Sequence, residues 1–532
     1  MSTATSTVRP VLIAGQWRDA DYQNTFQATD PNKNESLAAE FPVSSWSDCD
    51  AALEAATEAA RELRQLPAEK IAAFLERYAD RIDAAKDSLV EAAFAETGLA
   101  KSPRLADVEL PRTSNQLRAA AAACRTGNWA AATIDTKAGI RSCFEPLGPV
   151  CVFGPNNFPF AFGSVSGGDF AAAIAAGNPV IGKANSSHPE TTRLFAAEAA
   201  LALEETGLPA ATVQLVYRTS HADGERLVSD PRVGATGYTG SRGAGLALKA
   251  AADRAGKPIY LELSSVNPVV VTPGALRERG EEILGEFITS VLMGTGQFCT
   301  NPGLVLLEQG DTTDAFINGV KEKFQSTAAG TLLSPAVAKS LATSVETLCE
   351  YGAELLTGGG EAESDRCAFA NTLLKTTATA FLENPEGFQT EAFGNASLLV
   401  VADSPDQMCH AIRHLEGNLT GCIYSATDGS EDEVCADLSA ELAPKVGRLL
   451  NDKMPTGVAV SPAMNHGGPY PATGHPGFTA VGVPASLIRF GKLTSYDNVR
   501  GHRLPAILQD KNPTGETWRL VDGAWTLDDV AS

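Results

Sequence analysis

The chain has 532 residues, of which 44% are hydrophobic and 20% charged, and its formal net charge at pH 7 is -22. This length is sufficient for two or three domains with large cores, and the composition is ordinary for a globular protein. The negative charge argues against nucleic acid or an anionic membrane as a main partner, and an anionic substrate would need a locally positive pocket. No apolar run reaches the ~18 residues of a membrane span.

The ten cysteines include no CxxC pair and no short Cys/His cluster. We therefore expect neither a zinc site nor any other metal site, and no disulfide framework. The N-terminal stretch MSTATSTVRPVLIAGQW lacks a charged region followed by a long apolar core, so we predict no signal peptide. These features favour a protein of the reducing cytoplasm.

The N-terminal part of the chain combines short β-like pieces, up to about residue 45, with helical patterns. Apolar residues at three- and four-residue spacing predict helices over 48–63 and over 68–97, the second interrupted near Ala84. A further long helix is predicted over 101–127. We expect these helices to be packing elements without chemistry.

From residue 139 onwards, strand-like and helical segments alternate. Strands are predicted over 139–153, at VIGKA, over 213–218 and at PIYLEL, with helices between them. This alternation predicts a parallel, doubly wound sheet, so the fold class is α/β. A second αβ stretch follows, with a helix over 313–328, and the segment 447–497, rich in glycine, proline and histidine, is predicted to be mostly loop.

The stretch MGTGQFCTNP places Cys299 after a glycine-rich turn that ends an amphipathic helix. A thiol at which backbone N–H groups converge can be held as the nucleophilic thiolate. The same N–H groups can stabilise an oxyanion on the carbonyl that the thiolate attacks. Most buried cysteines are inert packing residues, so spacing alone makes Cys299 only a candidate nucleophile.

Two charged residues stand in otherwise apolar strands. Glu262, in YLELSS, has the chemistry of a general base if it is partly buried; the alternative is an edge-strand carboxylate that faces solvent. Lys183 is the one charge in VIGKA. Because buried lysines are uncommon unless they pair with a charge or a ligand, a functional role is favoured for Lys183.

Two loops carry groups that suit anions. Asn157 follows a proline-led loop, where its amide can donate to an oxyanion or can simply cap or turn the chain. The stretch GYTGSRGAG, residues 237–245, lies between a strand and a helix. Its backbone N–H groups would suit a phosphate at the helix N-terminus, although such a turn also serves as a plain tight connection.

Taken together, the motifs reveal a family resemblance. GPNNFP, VIGKA, YTGS, LELSSVNP, GQFCTNPG and EAFG occur in the order and at the spacings of the aldehyde dehydrogenase superfamily, which the chain resembles over nearly its whole length. ELSSVNP, GQFCTNPG and PAMNHGGPYPAT look most like its NADP-preferring branch. That branch includes 2,5-dioxopentanoate (α-ketoglutaric semialdehyde) dehydrogenases and a bacterial long-chain fatty aldehyde dehydrogenase. The C-terminal residues match the family least well.

The resemblance implies a division into domains. Residues 1–263 would form a Rossmann-type parallel-sheet cofactor domain, with part of a small oligomerisation segment near 125–148. Residues 264–447 would form an α/β catalytic domain, and 448–532 would return to the cofactor domain and complete the oligomerisation segment. The nucleotide-type repeats stop near 263–266, in agreement with the first boundary. By analogy with the family, we expect a homodimer or homotetramer.

The resemblance also implies catalytic roles. Cys299 would attack an aldehyde to give a thiohemiacetal, whose oxyanion is held by the Cys299 N–H and the Asn157 side chain. After hydride transfer to nicotinamide, Glu262 would activate the water that hydrolyses the thioester. The implied reaction is oxidation of an aldehyde to a carboxylic acid. The favoured substrate is 2,5-dioxopentanoate, which gives 2-oxoglutarate, and a fatty or other semialdehyde is the alternative.

For the cofactor, the resemblance implies that Lys183 binds near the adenosine ribose, that Ser241 meets the pyrophosphate and that Glu391 binds the nicotinamide ribose. Gly240 and Gly245 would allow close approach to the pyrophosphate. The full implied cofactor set is Lys183, Ser186, Arg218, Gly240, Ser241, Gly245, Glu391 and Phe393.

The expected cofactor is NADP, with NAD possible. Many NAD-preferring relatives carry an acid three residues after the strand lysine, where it binds the ribose 2′-OH. Ser186 occupies that position here and would not repel a 2′-phosphate. Arg218, at the end of the next strand, is placed to pair with such a phosphate; the alternative is a surface arginine.

His466, in MNHGGP, matches the NADP-preferring branch rather than the wider superfamily. It either lies near the thiol and tunes its ionisation or makes a structural hydrogen bond in a loop. Phe160 and Phe162 could line the mouth of a substrate tunnel or belong to the core. A dicarboxylic semialdehyde would require a positive group in that tunnel, and the sequence singles out no arginine for this role.

Three rival functions follow from the same residues. A CoA-acylating dehydrogenase would resolve the thioester with CoA, but such relatives usually lack the base that Glu262 supplies. A cysteine hydrolase or acyltransferase could use Cys299 with His466, but would not need the cofactor residues. A scaffolding protein would be expected to have lost Cys299 or Glu262, and both are present.

Overall fold

The computed structural model describes residues 8–362 and 364–530. The first seven residues, which begin the stretch on which the signal-peptide prediction rests, lie outside this part of the chain. Each helix in the described part is too short or too polar to cross a lipid bilayer.

The described residues form four β-sheets. Their strands are β1 (Val11–Ile13), β2 (Gln16–Arg18), β3 (Tyr22–Asp30), β4 (Glu35–Ser44), β5 (Thr133–Asp135), β6 (Ile140–Pro146), β7 (Val150–Phe153), β8 (Val180–Lys183), β9 (Val213–Val216), β10 (Ala235–Thr239), β11 (Ile259–Glu262), β12 (Val269–Val271), β13 (Leu304–Glu308), β14 (Glu354–Thr357), β15 (Thr372–Thr377), β16 (Ala396–Ala402), β17 (Asn418–Tyr424), β18 (Val446–Asn451), β19 (Gly491–Asp497), β20 (Arg519–Val521) and β21 (Ala524–Thr526).

The helices pack on both faces of the two larger sheets. They are α1 (Trp46–Leu63), α2 (Ala68–Ala84), α3 (Lys86–Thr97), α4 (Leu110–Thr126), α5 (Gly168–Ala175), α6 (Pro189–Thr206), α7 (His221–Ser229), α8 (Arg242–Arg254), α9 (Pro273–Leu292), α10 (Asp311–Ser326), α11 (Pro335–Glu350), α12 (Ala378–Glu383), α13 (Pro385–Phe388), α14 (Pro405–Arg413), α15 (Asp432–Leu442) and α16 (Ala485–Ile488).

The first large sheet has the strand order β11-β10-β7-β8-β9-β1-β2. Its five strands from β11 to β9 are parallel, and only the β9–β1 and β1–β2 pairs are antiparallel, which confirms the predicted α/β fold. The carboxyl ends of parallel strands meet at one edge, where ligands bind in open α/β sheets. Lys183 at the end of β8, Thr239 at the end of β10 and Glu262 at the end of β11 therefore share that edge.

The second large sheet has the order β14-β15-β16-β13-β12-β17-β18 and is parallel except for the β14–β15 pair. The chain passes from the first sheet to this one between β11 and β12. Strand β18 spans residue 447, at which the sequence placed a domain boundary, and it pairs with β17 of this sheet.

A third sheet, of order β19-β6-β5-β20-β21, joins the C-terminal residues to the region near 133–146. The predicted single strand over 139–153 is wrong: β6 belongs to this sheet and β7 to the first. Pro146 and Pro149 lack the N–H groups that a continuous strand would need. Between them, Gly148 has a φ of +117° and turns the chain from one sheet to the other.

Two helix predictions differ in outcome. The predicted interruption of the helix over 68–97 is confirmed, because α2 ends at Ala84 and α3 begins at Lys86. The predicted continuous helix over 101–127 is wrong in its first part. Residues Lys101–Glu109 form a wider π-helical segment, and Ser102 has extended φ/ψ values of -129° and 141°. The proline at position 103 disfavours helical backbone at Ser102, so the regular helix starts only at Leu110.

Candidate active site

Cys299 lies in the loop between α9 and β13. After α9, three consecutive residues adopt positive φ values, and they reverse the chain direction before the cysteine. The Asn267 amide nitrogen Nδ2 then fixes this loop by donating to the carbonyl oxygens of Cys299, at 2.8 Å, and of Asn301, at 2.9 Å. Cys299 therefore lies in a hydrogen-bonded loop, and the residue as a whole is partly exposed.

Three titratable groups converge at the thiol. His466 Nε2 is 3.4 Å from Cys299 Sγ and 2.9 Å from Glu262 Oε1. The side chains of Glu262 and His466 are each 1% exposed, so Glu262 is not a solvent-facing edge carboxylate. The second carboxylate oxygen of Glu262, Oε2, has no hydrogen-bond partner among the described residues. That oxygen is free to accept a proton.

The loop that carries His466 returns from the C-terminal part of the chain. Its backbone is held by Thr479, whose hydroxyl accepts from His466 N at 3.1 Å, and by Ala480 N, which donates to His466 O at 2.9 Å. The neighbouring Leu263 N donates to Ala472 O at 2.8 Å, which joins this loop to the end of β11. The structure thus places His466 beside the thiol, between the nucleophile and the base.

Burial, and next the negative charge of Glu262, raise the pKa of the Cys299 thiol well above its ordinary value. The expectation of a thiolate held by backbone N–H groups is therefore corrected: in this arrangement the resting form is the neutral thiol. Desolvation and a neighbouring carboxylate both disfavour the charged form. Attack on an aldehyde then requires a base that takes the thiol proton, and Glu262 and His466 are in place for this.

Alkylation of Cys299 by iodoacetamide should accelerate about tenfold per pH unit from about pH 6 to 9, because only the thiolate reacts and the raised pKa keeps the thiol protonated throughout this range. The measurement is the rate of inactivation, with intact-mass analysis to count modified cysteines. Cys299→Ala reports the background from the other cysteines. A rate that levels off near neutral pH would contradict a raised thiol pKa.

Asn157 faces the nucleophile loop from the opposite wall. Its Nδ2 donates to Gln297 O at 3.0 Å, which leaves the second N–H of the amide for an oxyanion. The backbone of this loop is held by a buried ion pair between Arg104 and Glu109, since Arg104 Nη2 donates to Asn157 O at 3.0 Å. Glu109 also accepts from Phe160 N at 2.9 Å.

The sequence did not identify Arg104 and Glu109, because the segment from residue 101 was predicted to be a packing helix. No local signal separates them from the other charged residues of this stretch, Lys101, Asp107 and Arg112. Their role depends on long-range contacts with the loop at residues 157–161, which no local pattern shows.

A cleft of about 760 Å³ extends from the thiol along the carboxyl edge of the first sheet. Such a volume is within the range of small-molecule and cofactor sites. Seven of the predicted site residues line it: Asn157, Gly240, Ser241, Glu262, Cys299, Glu391 and Phe393. His466, Lys183, Ser186, Arg218 and Gly245 are not among its lining residues.

The N-terminus of α8 opens on this cleft. Ser241 is its N-cap residue, and the Ser241 side chain makes no capping hydrogen bond in the described structure, so the N–H groups of the first turn can receive an anion. Tyr238 Oη instead donates to the Ser241 carbonyl at 3.0 Å. At Gly245 a Cβ would lie only 2.4 Å from Leu263 Cδ2, so this glycine serves the packing of α8 against the strand end.

Lys183 forms a cationic site at the end of β8. Burial, and then the positive charge of Arg218, lower the pKa of Lys183 to about 8. No described carboxylate compensates this lysine, and Ser186 lies half-buried in the turn that follows. Two cations next to an uncharged side chain provide a site of the right charge for a phosphate.

Glu391 stands at the end of the cleft near the thiol. Its Oε1 accepts from Ser265 N at 3.3 Å, but burial dominates and raises the pKa of Glu391 to about 7. A carboxyl group here can accept hydrogen bonds from sugar hydroxyls, and Phe393 lies on the same wall.

Of the three phenylalanines of the asparagine loop, the two that the sequence suggested for the mouth of a substrate tunnel, Phe160 and Phe162, have different positions. Phe160 is fully buried, with its ring 5.2 Å from that of Phe195, and belongs to the core. Phe162 lies with its ring 5.6 Å from the His466 ring, at an interplanar angle of 62°. Only Phe162 faces the site.

A comparison with protein families decides the classification. The model of the aldehyde dehydrogenase family matches residues 17–446. The chain belongs to the aldehyde dehydrogenase family. It is an oxidoreductase that uses NAD(P).

Curated relatives of this aldehyde dehydrogenase include two from bacteria. The chain is 40% identical over 524 residues to alpha-ketoglutaric semialdehyde dehydrogenase 2 of Azospirillum brasilense, with 96% of this chain and 98% of the relative covered. It is 34% identical to alpha-ketoglutaric semialdehyde dehydrogenase of Acinetobacter baylyi, with 91% and 93% covered.

Among solved structures, HpcC of Thermus thermophilus has a TM-score of 0.78 at 21% identity and covers 92% of this chain and 93% of its own. An aldehyde dehydrogenase of Bacillus cereus solved with NAD+ has a TM-score of 0.77 at 18% identity and covers 92% and 96%. At such identities these likenesses establish the fold of the aldehyde dehydrogenase.

Proposed function

We propose that this aldehyde dehydrogenase oxidises 2,5-dioxopentanoate to 2-oxoglutarate and prefers NADP. The chemistry is supported by one observation above all, the contact chain from Cys299 Sγ through His466 Nε2 to Glu262 Oε1. The substrate is supported by the two α-ketoglutaric semialdehyde dehydrogenases that the chain matches over nearly its full length.

The first half-reaction begins with the thiol proton. Cys299 Sγ gives it up to the base formed by Glu262 and His466 and bonds to the aldehyde carbon. The developing oxyanion receives the free N–H of Asn157 Nδ2 and the Cys299 N–H, donors that are already fixed before the reaction. A bound NADP would supply the hydride acceptor for oxidation of this carbon, which leaves a thioester on Cys299.

The second half-reaction uses the unpartnered carboxylate oxygen. Once the thiol proton has passed from the base to solvent, Glu262 Oε2 takes a proton from water as the water oxygen bonds to the thioester carbon, and the carbon–sulfur bond breaks. The thiolate of Cys299 recovers a proton, and the acid leaves as a carboxylate. His466, which contacts both groups, holds Glu262 in position and can pass the proton between carboxylate and sulfur.

The preference for NADP is supported by the charges at the end of β8. A ribose 2′-phosphate at this edge would meet Lys183 and Arg218, and Ser186 adds no opposing charge. Arg218 is exposed and is free to turn toward a ligand.

Arg218→Gln should raise the KM for NADP by about tenfold and leave the KM for NAD within about twofold, because only NADP carries the 2′-phosphate. Lys183 loses its charge as the pH rises through its pKa of about 8, so the wild-type KM for NADP should also rise above that pH. Initial rates with each cofactor over a pH series measure both effects. If Arg218→Gln changes the KM for NADP and the KM for NAD by the same factor, Arg218 has no phosphate-binding role.

The substrate is tested by initial rates with NADP and NAD on a panel of aldehydes. The panel contains 2,5-dioxopentanoate, succinic semialdehyde, glycolaldehyde, a short alkanal and a long alkanal. The highest kcat/KM is expected for 2,5-dioxopentanoate with NADP. If kcat/KM is highest for the long alkanal, the proposed mechanism would stand, but the substrate would be a fatty aldehyde.

We also propose a cytoplasmic homo-oligomer, a dimer or tetramer, and the three-part domain division at residues 263 and 447. Oligomerisation is supported by two strands at sheet edges that expose apolar side chains, Leu449 on β18 at 43% and Leu493 on β19 at 61%. Light scattering coupled to size-exclusion chromatography measures the mass; a monomer would contradict the assembly.

A further inference from the structure

An aromatic cluster adjoins the active site outside the cofactor cleft. Phe158, Phe162 and Phe298 pack edge to face, with ring centroids 5.3 Å and 5.2 Å apart in the two pairs that Phe158 forms. Val458 packs against the same cluster. Phe298 precedes the nucleophile in the chain, and Phe162 contacts His466. The cluster is therefore apolar surface immediately beside the reacting thiol.

Two guanidinium groups lie over this cluster, that of Arg104 over the rings of Phe158 and Phe298, at 4.3 Å and 5.4 Å, and that of Arg112 over the ring of Phe162. Arg112, from the first turn of α4, lies 5.4 Å from the Phe162 ring centre and donates through Nη1 to Val458 O at 2.6 Å. Its Nε and Nη2 atoms are buried and have no hydrogen-bond partner among the described residues. These two nitrogens form one edge of the guanidinium, the edge that binds a carboxylate through two parallel hydrogen bonds.

Both Nη groups of two other arginines near this site are already hydrogen-bonded, whereas Nη2 of Arg112 has no partner among the described residues. Arg104 is neutralised by the buried Glu109 and donates through Nη2 to the Asn157 carbonyl oxygen. Arg448 directs both of its Nη groups to the carbonyl oxygens of Pro455 and Gly457. Neither presents a free pair of N–H groups.

The charge of Arg112 is also incompletely compensated. Burial lowers the pKa of Arg112, and the negative charges of Glu109 and Glu262 act in the opposite direction. The guanidinium remains a cation, and a partly buried cation without an ion-pair partner is unfavourable until an anion binds. The contact of Arg112 with the Phe162 ring, which also contacts His466, places this cation in the same site.

We propose that Arg112 binds the carboxylate at the far end of the semialdehyde and selects acidic aldehydes over neutral ones of the same length. This inference rests on the proposed function and names the group that recognises its substrate. The Phe162 ring contacts both His466 and Arg112, with its centre 5.6 Å from the ring of the first and 5.4 Å from the guanidinium of the second. A short oxo acid can therefore place its aldehyde at the thiol and its carboxylate at Arg112.

The test compares kcat/KM for an acid and a neutral aldehyde of equal length, 2,5-dioxopentanoate with pentanal and succinic semialdehyde with butanal. Arg112→Gln should lower kcat/KM for the acids about 100-fold and for the neutral aldehydes less than about threefold, since one partner of a charge pair is lost. For the acids, kcat/KM of Arg112→Lys should lie between the values of the wild type and of Arg112→Gln, because a lysine keeps the charge without the paired N–H groups. The control Arg118→Gln alters a partly exposed arginine of the same helix that pairs with Asp80 and Asp83. It should leave kcat/KM unchanged for both the acids and the neutral aldehydes.

A second measurement does not depend on turnover. Iodoacetate and iodoacetamide alkylate the same thiol, but only iodoacetate is an anion. The alkylation rate of Cys299 by iodoacetate, divided by its rate with iodoacetamide, therefore reports an anion-binding group nearby. This ratio should fall about tenfold in Arg112→Lys and further in Arg112→Gln. If Arg112→Gln does not fold, the ratio in Arg112→Lys decides.

The two proposals fail separately. If the wild type oxidises succinic semialdehyde and not 2,5-dioxopentanoate, the proposed substrate is wrong, and the succinic semialdehyde–butanal pair decides the role of Arg112. Equal losses for acids and neutral aldehydes, or an unchanged iodoacetate ratio, would overturn the assignment of Arg112. A wild type that prefers neutral aldehydes would overturn both.

Discussion

Replacing Cys299 by serine should abolish aldehyde oxidation, with a fall in kcat of at least about 10⁴-fold, and leave dinucleotide binding intact. A hydroxyl is a far weaker acid and nucleophile than a thiol. The site accentuates this difference, because burial and the Glu262 charge already oppose formation of an anion at this position. The cofactor cleft is built mainly from other residues, so its affinity should not change.

The measurement pairs NADPH formation with a direct binding titration of NADPH by fluorescence. Cys435→Ser is the matched control, since Cys435 is also partly exposed but does not line the cleft, and it should retain wild-type activity. Substantial oxidation by the Cys299→Ser enzyme would remove this thiol from the mechanism. Loss of NADPH binding together with activity would indicate a structural role instead.

Glu262→Gln should give one burst of NADPH, close to one equivalent per active site, followed by steady-state turnover reduced about 10³-fold. Glutamine cannot accept the proton of the hydrolytic water, whereas the wild-type carboxylate has a free oxygen for it. Removal of the carboxylate charge should also lower the pKa of the Cys299 thiol, so thioester formation should persist. Rapid-quench kinetics resolve the burst from the slow phase.

Hydroxylamine provides the control for this variant, because it cleaves thioesters without a general base. It should restore turnover in Glu262→Gln and have no effect in Cys299→Ser. Normal steady-state turnover would contradict the role of Glu262 as the hydrolytic base. Absence of a burst would show that His466 cannot deprotonate Cys299 without Glu262. If the wild type turns over only when CoA is added and releases an acyl-CoA product, the CoA-acylating alternative would be favoured.

The fold was predictable where its signals are local. The alternation of strands and helices after residue 139 defines the parallel sheet, because apolar runs and glycine turns act on their own segment of chain. The break between β6 and β7 was missed, since the proline–glycine turn at 146–149 had to be weighed against an apolar pattern that continues through it. The switch of sheet depends on partners more than 300 residues away, such as β19.

The sequence by itself determined the chemistry of this protein: a cysteine after a glycine turn, an acid and a lysine each at the end of an apolar strand, and motifs in the order of one family. These are properties of residues and their immediate neighbours. The contact of Cys299 with His466, 167 positions apart, and the free edge of Arg112 were decided only by the tertiary structure. Burial and the proximity of charges determine whether a thiol is neutral, a carboxylate is a base or an arginine is available. Both arise only when distant segments pack together.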